Sequence, residues 1–152
     1  MKTKVENILK SVLPSKTFII VDEKKYSLSS SNDEKYLKIA FATSSHLINN
    51  VANQYPEVVS LSLDLKTLEL KPQSFGCCGG RLIYLKPDLN NPKEKWLAMA
   101  GLKIPFRKPQ PNETAVLKAV EKFAINWVNA IKENKDRIFH SDIVNYDEFL
   151  NS

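Results

Sequence analysis

The residues of this chain whose types could do chemistry are densest in one glycine-rich loop. The chain holds four glycines, and three of them stand at positions 76, 79 and 80. The candidate binding residues of this loop are Gly76, Cys77, Cys78, Gly79, Gly80 and Arg81. Glycine permits close approach of the backbone, and neighbouring N–H groups can face an anion beside the Arg81 cation. We expect either a backbone cradle for an anionic partner or a plain wide turn between two strands.

The two adjacent cysteines limit the kinds of enzyme activity that this loop could support. A structural zinc site needs about four ligands, and the only histidines, His46 and His140, are isolated in sequence. No Cys-x-x-Cys redox spacing is present, although a cation such as Arg81 can lower a thiol pKa. We therefore expect no metal, no cofactor and no catalytic residue here. A thiol-dependent enzyme is kept as an alternative.

A second candidate segment interleaves cations with an aromatic ring. Its binding residues are Lys103, Phe106, Arg107 and Lys108, within a stretch that contains three prolines. Nucleic-acid surfaces place Lys and Arg on phosphates and rings on bases. Extended proline-rich segments also dock on proteins or cross a sheet edge. The partner expected from this segment is nucleic acid or an acidic protein.

The charge of the chain is concentrated in the window that holds both segments. The net charge is +5 over 152 residues, and residues 71–111 carry eight Lys or Arg and two acids, a net +6. Such asymmetry favours an anionic partner, although lysine-rich loops also serve solubility. We predict that Arg81, Lys103, Arg107 and Lys108 share one positive face.

Apolar periodicity predicts the elements that must position these segments. Apolar residues at helical spacing predict a first helix over residues 4–12. Residues 18–21 predict a strand, residues 22–25 a turn, and residues 26–28 a second strand. Alternation then predicts a third strand from Tyr36 to Thr43.

The middle of the chain predicts a helix and further strands. Ser44 or Ser45 can cap the helix, and residues 59–65 alternate as a strand. Leu68 and Leu70 alternate in the opposite parity, which predicts a turn at residues 64–67 and a further strand after it. Residues 81–86 predict another strand.

The last third of the chain is predicted to be helical. A short helix is expected over residues 92–101, and Asn112 can cap the longest one, which ends near Arg137. Residues 138–150 predict a weaker helical tail. The apolar stripe of the longest helix comprises Val116, Ala119, Val120, Phe123, Ala124, Trp127, Val128 and Ile131.

The predicted order is α-β-β-β-α-β-β-β-α-α, in one domain that spans residues 1–152. Strands in hairpin-like succession favour an α+β fold. We expect an antiparallel sheet of about five to seven strands with helices on one face.

Two resemblances rest on this order of elements. The first six elements resemble the core of the PD-(D/E)XK nucleases, with Asp22 and then Asp33, Glu34 and Lys35 as the matching residues. That resemblance implies carboxylates holding Mg²⁺ beside a lysine. The order α-β-β-β-α-β-β-α also resembles small secretion chaperones.

Composition sets the class of protein. The chain is 43% hydrophobic, has no apolar run of the ~20 residues that cross a membrane, and opens on no secretory signal. We expect a cytoplasmic protein without a membrane partner, and the pattern does not define an oligomeric state. The function expected is a non-catalytic binding or adaptor protein with a basic surface. A metal-dependent nuclease, a thiol-dependent enzyme and a chaperone-like helper are the alternatives.

Overall fold

The computed structural model describes residues 1–26, 34–45, 58–72, 109–135 and 145–152. These residues form an α+β arrangement in which helices pack on one face of a four-stranded antiparallel sheet. In chain order the elements are α1 (Lys2–Val12), β1 (Phe18–Lys25), β2 (Lys35–Ala42), β3 (Val58–Asp64), β4 (Leu70–Pro72), α2 (Glu113–Asn134) and α3 (Tyr146–Leu150). No helix among them combines the length and apolar character that crossing a bilayer requires.

The sheet is a meander in which each strand pairs with the next, in the order β1-β2-β3-β4. Ile39 in β2 is the Cα partner of Val21 on one side and of Leu61 on the other. Because side chains alternate along a strand, these three residues share one face of the sheet. We call that side the core face and the opposite side the second face.

The core face is covered by the described helices. Phe41 of β2 meets two rings of α2, with its centroid 4.9 Å from that of Trp127 and 6.3 Å from that of Phe123. Val5 and Leu9 of α1 belong to the same buried cluster. Trp127 also meets Phe149 of α3 at 6.0 Å, so α3 joins the core as well.

Helix α2 confirms the prediction made from its sequence. The Asn112 side chain accepts a hydrogen bond of 2.9 Å from the backbone N–H of Ala115, which satisfies one donor of the first turn. The predicted stripe faces inward: Val128 is partly buried, and the other members are buried. The predicted first helix is also confirmed, as α1.

The predicted turn at residues 22–25 is wrong, because β1 continues through these residues to Lys25. They pair residue by residue with the start of β2, from Asp22 opposite Lys38 to Lys25 opposite Lys35. Charged side chains are tolerated there because most of them are exposed. Tyr26 follows β1 directly and does not belong to a second strand.

The sheet is smaller than predicted within the described residues, with four strands instead of five to seven. The predicted strand over 36–43 corresponds to β2, and that over 59–65 to β3. The predicted helix after Ser45, the strand at 81–86 and the short helix at 92–101 lie outside the described residues. Of the predicted helical tail, the structure describes the last part, where α3 lies.

Candidate functional site

Both segments singled out from the sequence lie outside the described residues. This holds for Gly76 to Arg81 and for Lys103 to Lys108. The expectation that Arg81, Lys103, Arg107 and Lys108 share a face therefore stays a prediction. The described residues nevertheless bring a different set of cations and rings together, on the second face of the sheet.

The second face divides into two halves of opposite character. One half is mainly apolar: Ala40, Ala42, Val58 and Ser60 are buried there, Ile20 packs against this cluster, and Phe18 lies at its end. The other half, which we call the polar half, is the part of the same face where the strands carry charged and aromatic residues. It comprises Asp22, Lys24, Tyr26, Tyr36, Lys38, Ser62, Asp64 and Lys71.

Strand register places the lysines of the polar half. Asp22, Lys38, Ser62 and Lys71 are successive Cα partners across the four strands and form one row. Neighbouring strands lie about 4.8 Å apart, so this row extends about 14 Å from β1 to β4. Lys24 lies on the same face, two residues further along β1. Three cations from three strands thus share one side of the sheet.

Two tyrosines lie next to these lysines. The Tyr26 and Tyr36 ring centroids are 4.9 Å apart, with an angle of 38° between the ring planes. The Tyr26 hydroxyl donates a hydrogen bond of 3.1 Å to Oδ2 of Asp64. Tyr26 therefore lies across Tyr36, from the end of β1 to the end of β3, and 39% of it is still exposed.

Asp64 holds the turn between β3 and β4, which confirms the turn predicted at residues 64–67. Its Oδ1 accepts hydrogen bonds of 2.8 Å from the backbone N–H groups of both Lys66 and Thr67. This is the local pattern by which Asp favours a tight turn. Leu68 follows with φ of 61°, a left-handed conformation that costs a branched residue free energy. Its packing against the core and its bonded N–H, which donates to the Asp64 carbonyl at 2.9 Å, offset that cost.

The same contacts shift the pKa values of Asp64 and Tyr26 in opposite directions. Burial opposes ionisation of Asp64, but the N–H groups of Thr67 and Lys66 and the Tyr26 hydroxyl hold its pKa below the usual value. Burial, followed by the bond to the Asp64 carboxylate, raises the pKa of Tyr26 to about 12. At neutral pH Asp64 is therefore a carboxylate and Tyr26 a neutral donor, which is the pairing that their geometry requires.

The lysines of the polar half differ in their ionic partners. Lys24 and Lys38 form no ion pair with any described residue. Lys71 lies 3.5 Å from the partly buried carboxylate of Glu69, which neutralises part of its charge. An anion that reaches this face thus meets two lysines without an ionic partner among the described residues, and a third whose charge is shared with Glu69.

The nuclease residues do not converge where the structure describes them. Asp22 lies on the second face, whereas Lys35 reaches Glu23 on the other side of the sheet at 3.2 Å. Asp33 lies outside the described residues. Among the described residues, no three His, Cys, Asp or Glu side chains come together as a metal site requires.

Sequence reasoning missed the polar half because its residues are far apart in the chain. The signal was present in the alternation of β2, where Leu37, Ile39 and Phe41 were predicted as a strand. Their neighbours Tyr36 and Lys38 then had to share the opposite face. Because residues 22–25 were predicted to form a turn, Lys24 was not assigned to that face.

Comparison with known proteins supplies no relative for this chain. No family model, no curated protein and no solved structure matches it. What the polar half can bind therefore has to follow from its own geometry and charge.

Proposed function

We propose that the protein is a non-catalytic binding protein that holds an anionic partner on the polar half of its sheet. One observation carries the proposal: Lys24, Lys38 and Lys71 come from three different strands and lie on the same face. Lysines scattered for solubility have no need to converge in this way. The partner is a polyanion, either a nucleic acid or an acidic protein.

The acidic residues of the polar half do not cancel this attraction. Asp64 already accepts hydrogen bonds from two N–H groups of its own turn and from the Tyr26 hydroxyl, which spread part of its negative charge. Asp22 stands opposite Lys38 and Glu69 lies 3.5 Å from Lys71, whereas Lys24 forms no ion pair with a described residue. The net charge of +5 adds a long-range attraction that increases the rate of encounter with an anion.

The glycine-cysteine loop can extend the same binding surface. β4 ends at Pro72, one residue after Lys71, and Gly76 follows four residues later. Four residues of fully extended chain reach about 14 Å at most. We include Gly76 to Arg81 and Lys103 to Lys108 as further parts of the anion-binding surface, on the grounds of their charge and composition.

The test compares two triple variants that remove equal charge from different places. Lys24→Gln, Lys38→Gln and Lys71→Gln together remove the cations of the polar half. The matched control, Lys118→Gln, Lys122→Gln and Lys132→Gln, removes three exposed lysines from α2. Binding of a single-stranded oligonucleotide and of polyglutamate is titrated at two salt concentrations.

The polar-half variant should bind more weakly than the control. For the oligonucleotide, the slope of log affinity against log salt should fall by about 2 if all three lysines meet phosphates. Equal weakening by both variants would mean that net charge alone attracts the polyanion. If the wild-type protein binds neither polyanion at low salt, the proposed function is wrong.

A further inference from the structure

We propose that the polar half is a stacking platform for single-stranded nucleic acid. The Tyr26 ring receives a base, and Lys24, Lys38 and Lys71 meet the phosphates on either side. This inference rests on the proposed function and narrows it to one partner. It is carried by the position of an exposed, tethered ring on the same face as three lysines, because a purely electrostatic surface has no need of the ring.

The Tyr26 ring has the placement that base stacking requires. Tyr36 supports it from below at a centroid distance of 4.9 Å, and 39% of Tyr26 remains exposed. Antiparallel sheets that bind single strands present aromatic rings in this way, because bases of a single strand can leave their own stack. Bases within a duplex are already stacked and paired, so the platform selects single strands.

Asp64 acts on this platform as a positioning residue. Its carboxylate is fixed by the N–H groups of Lys66 and Thr67, and it holds the Tyr26 hydroxyl at 3.1 Å. The ring is thereby anchored at both its backbone and its hydroxyl end. A side chain that is already ordered loses less conformational entropy when a base stacks on it.

The mixture of charges favours a nucleic acid over an acidic polypeptide. A polyacidic chain that follows the row would meet Asp22 beside Lys38. A nucleotide carries both an anionic phosphate and amino groups on its base, and a carboxylate accepts hydrogen bonds from such amino groups. Lysines interleaved with the carboxylates of Asp22 and Glu69 therefore complement a nucleotide chain better than a chain of uniform charge.

The experiment separates stacking from charge by changing the ligand and the ring in turn. One ligand is a mixed-sequence single-stranded DNA oligonucleotide, and the other is an abasic oligonucleotide of equal length and charge. Affinities are measured for the wild type, Tyr26→Leu, Tyr26→Phe and the control Phe18→Leu. Phe18 is 45% exposed and lies on the second face at the start of β1, whereas Tyr26 follows the end of that strand. Thermal unfolding of each variant confirms that it is folded.

The wild type should prefer the oligonucleotide with bases by about 5- to 150-fold, which is the range for one stacked base. Tyr26→Leu should remove most of that preference and leave binding of the abasic chain unchanged. Tyr26→Phe keeps the ring but loses the bond to Asp64, so its preference should be intermediate. Phe18→Leu should behave as the wild type.

Three results would overturn the stacking platform while leaving the proposed function intact. The first is equal affinity of the wild type for the two oligonucleotides. The second is a preference for the oligonucleotide with bases that is the same in Tyr26→Leu as in the wild type. The third is a preference in Tyr26→Phe that is as small as in Tyr26→Leu. If polyglutamate binds as tightly as the oligonucleotide, and its binding depends equally on Lys24, Lys38 and Lys71, the partner inferred is an acidic protein and not a nucleic acid. Failure of the proposed function itself is distinguishable, because the wild-type protein would then bind neither polyanion, or the two lysine triple variants would weaken binding equally.

Discussion

The two faces of the sheet use the same strands for different purposes. On the core face, Leu37, Ile39 and Leu61 are almost completely removed from solvent beneath the helices. On the polar half of the second face, Lys38 and Ser62, their immediate neighbours in sequence, remain partly exposed. Because side chains alternate along a strand, a single residue step separates a stabilising position from a binding position.

This contrast shows where substitutions can be made without unfolding the protein. Apolar burial stabilises the fold by roughly 25 cal/mol per Å², and the core face supplies much of the buried area. The polar half contributes cations, a hydroxyl and a ring whose removal leaves the core intact. Stability and binding should therefore respond to different variants.

The largest loss of stability is expected for Trp127→Ala. Trp127 is fully buried and lies between Phe41 and Phe149, with centroid distances of 4.9 and 6.0 Å. Removing such a ring from a core costs about 3–5 kcal/mol of unfolding free energy. Ile125, two residues earlier on α2 and 40% exposed, is the control, and Ile125→Ala should change stability by about 0.5 kcal/mol or less. Urea denaturation gives both values, and equal losses would contradict the assigned orientation of α2.

This burial could be read from the sequence because it depends on local periodicity. The stripe from Val116 to Ile131 repeats at helical spacing, and Asn112 marks its start. The charged run at residues 22–25 could not be read in the same way. Its composition is typical of a turn, and the pairing with β2 that makes it a strand is a tertiary property.

The candidate site depends even more on tertiary pairing. Lys24, Tyr36 and Asp64 are brought into one row by the register of three strands, and no local pattern connects them. The turn formed by Asp64 was predictable from its residue type. Its second role, as the acceptor for the Tyr26 hydroxyl, was not, because that contact joins residues 38 positions apart.

Two neighbouring residues of β3, one on each face of the sheet, allow the stability contributions of the two faces to be compared. Leu61→Ala removes a buried side chain from the core face and should cost about 2–5 kcal/mol. Ser62→Ala acts on the second face and should change stability by about 0.5 kcal/mol or less. Denaturation of the two variants under the same conditions measures the difference. Similar losses at both positions would mean that the second face is also part of the core at this point.

A smaller effect is expected from the ionisation of Tyr26 at high pH. Its pKa is raised to about 12, so the folded state favours the neutral hydroxyl. The stability that this provides is fully present below the unfolded pKa of about 10 and is lost as pH rises towards 12. Tyr26→Phe should lack this part of the alkaline loss.

Absorbance at the tyrosinate band measures the same group directly. The difference between the titrations of the wild type and Tyr26→Phe should show one tyrosine that ionises near pH 12. A difference centred near pH 10 would show that Asp64 does not hold the hydroxyl in solution. It would also remove the argument that the ring is tethered before a ligand binds.

The most direct test of the binding face is a lysine footprint, in which exposed amines are acetylated with and without a single-stranded oligonucleotide and then quantified by mass spectrometry. The proposed function predicts that Lys24, Lys38 and Lys71 are protected by the ligand. Three lysines of α2, Lys118, Lys122 and Lys132, should react equally in both samples. Protection of the α2 lysines, with Lys24, Lys38 and Lys71 still reactive in the complex, would contradict the assignment of binding to the polar half of the sheet.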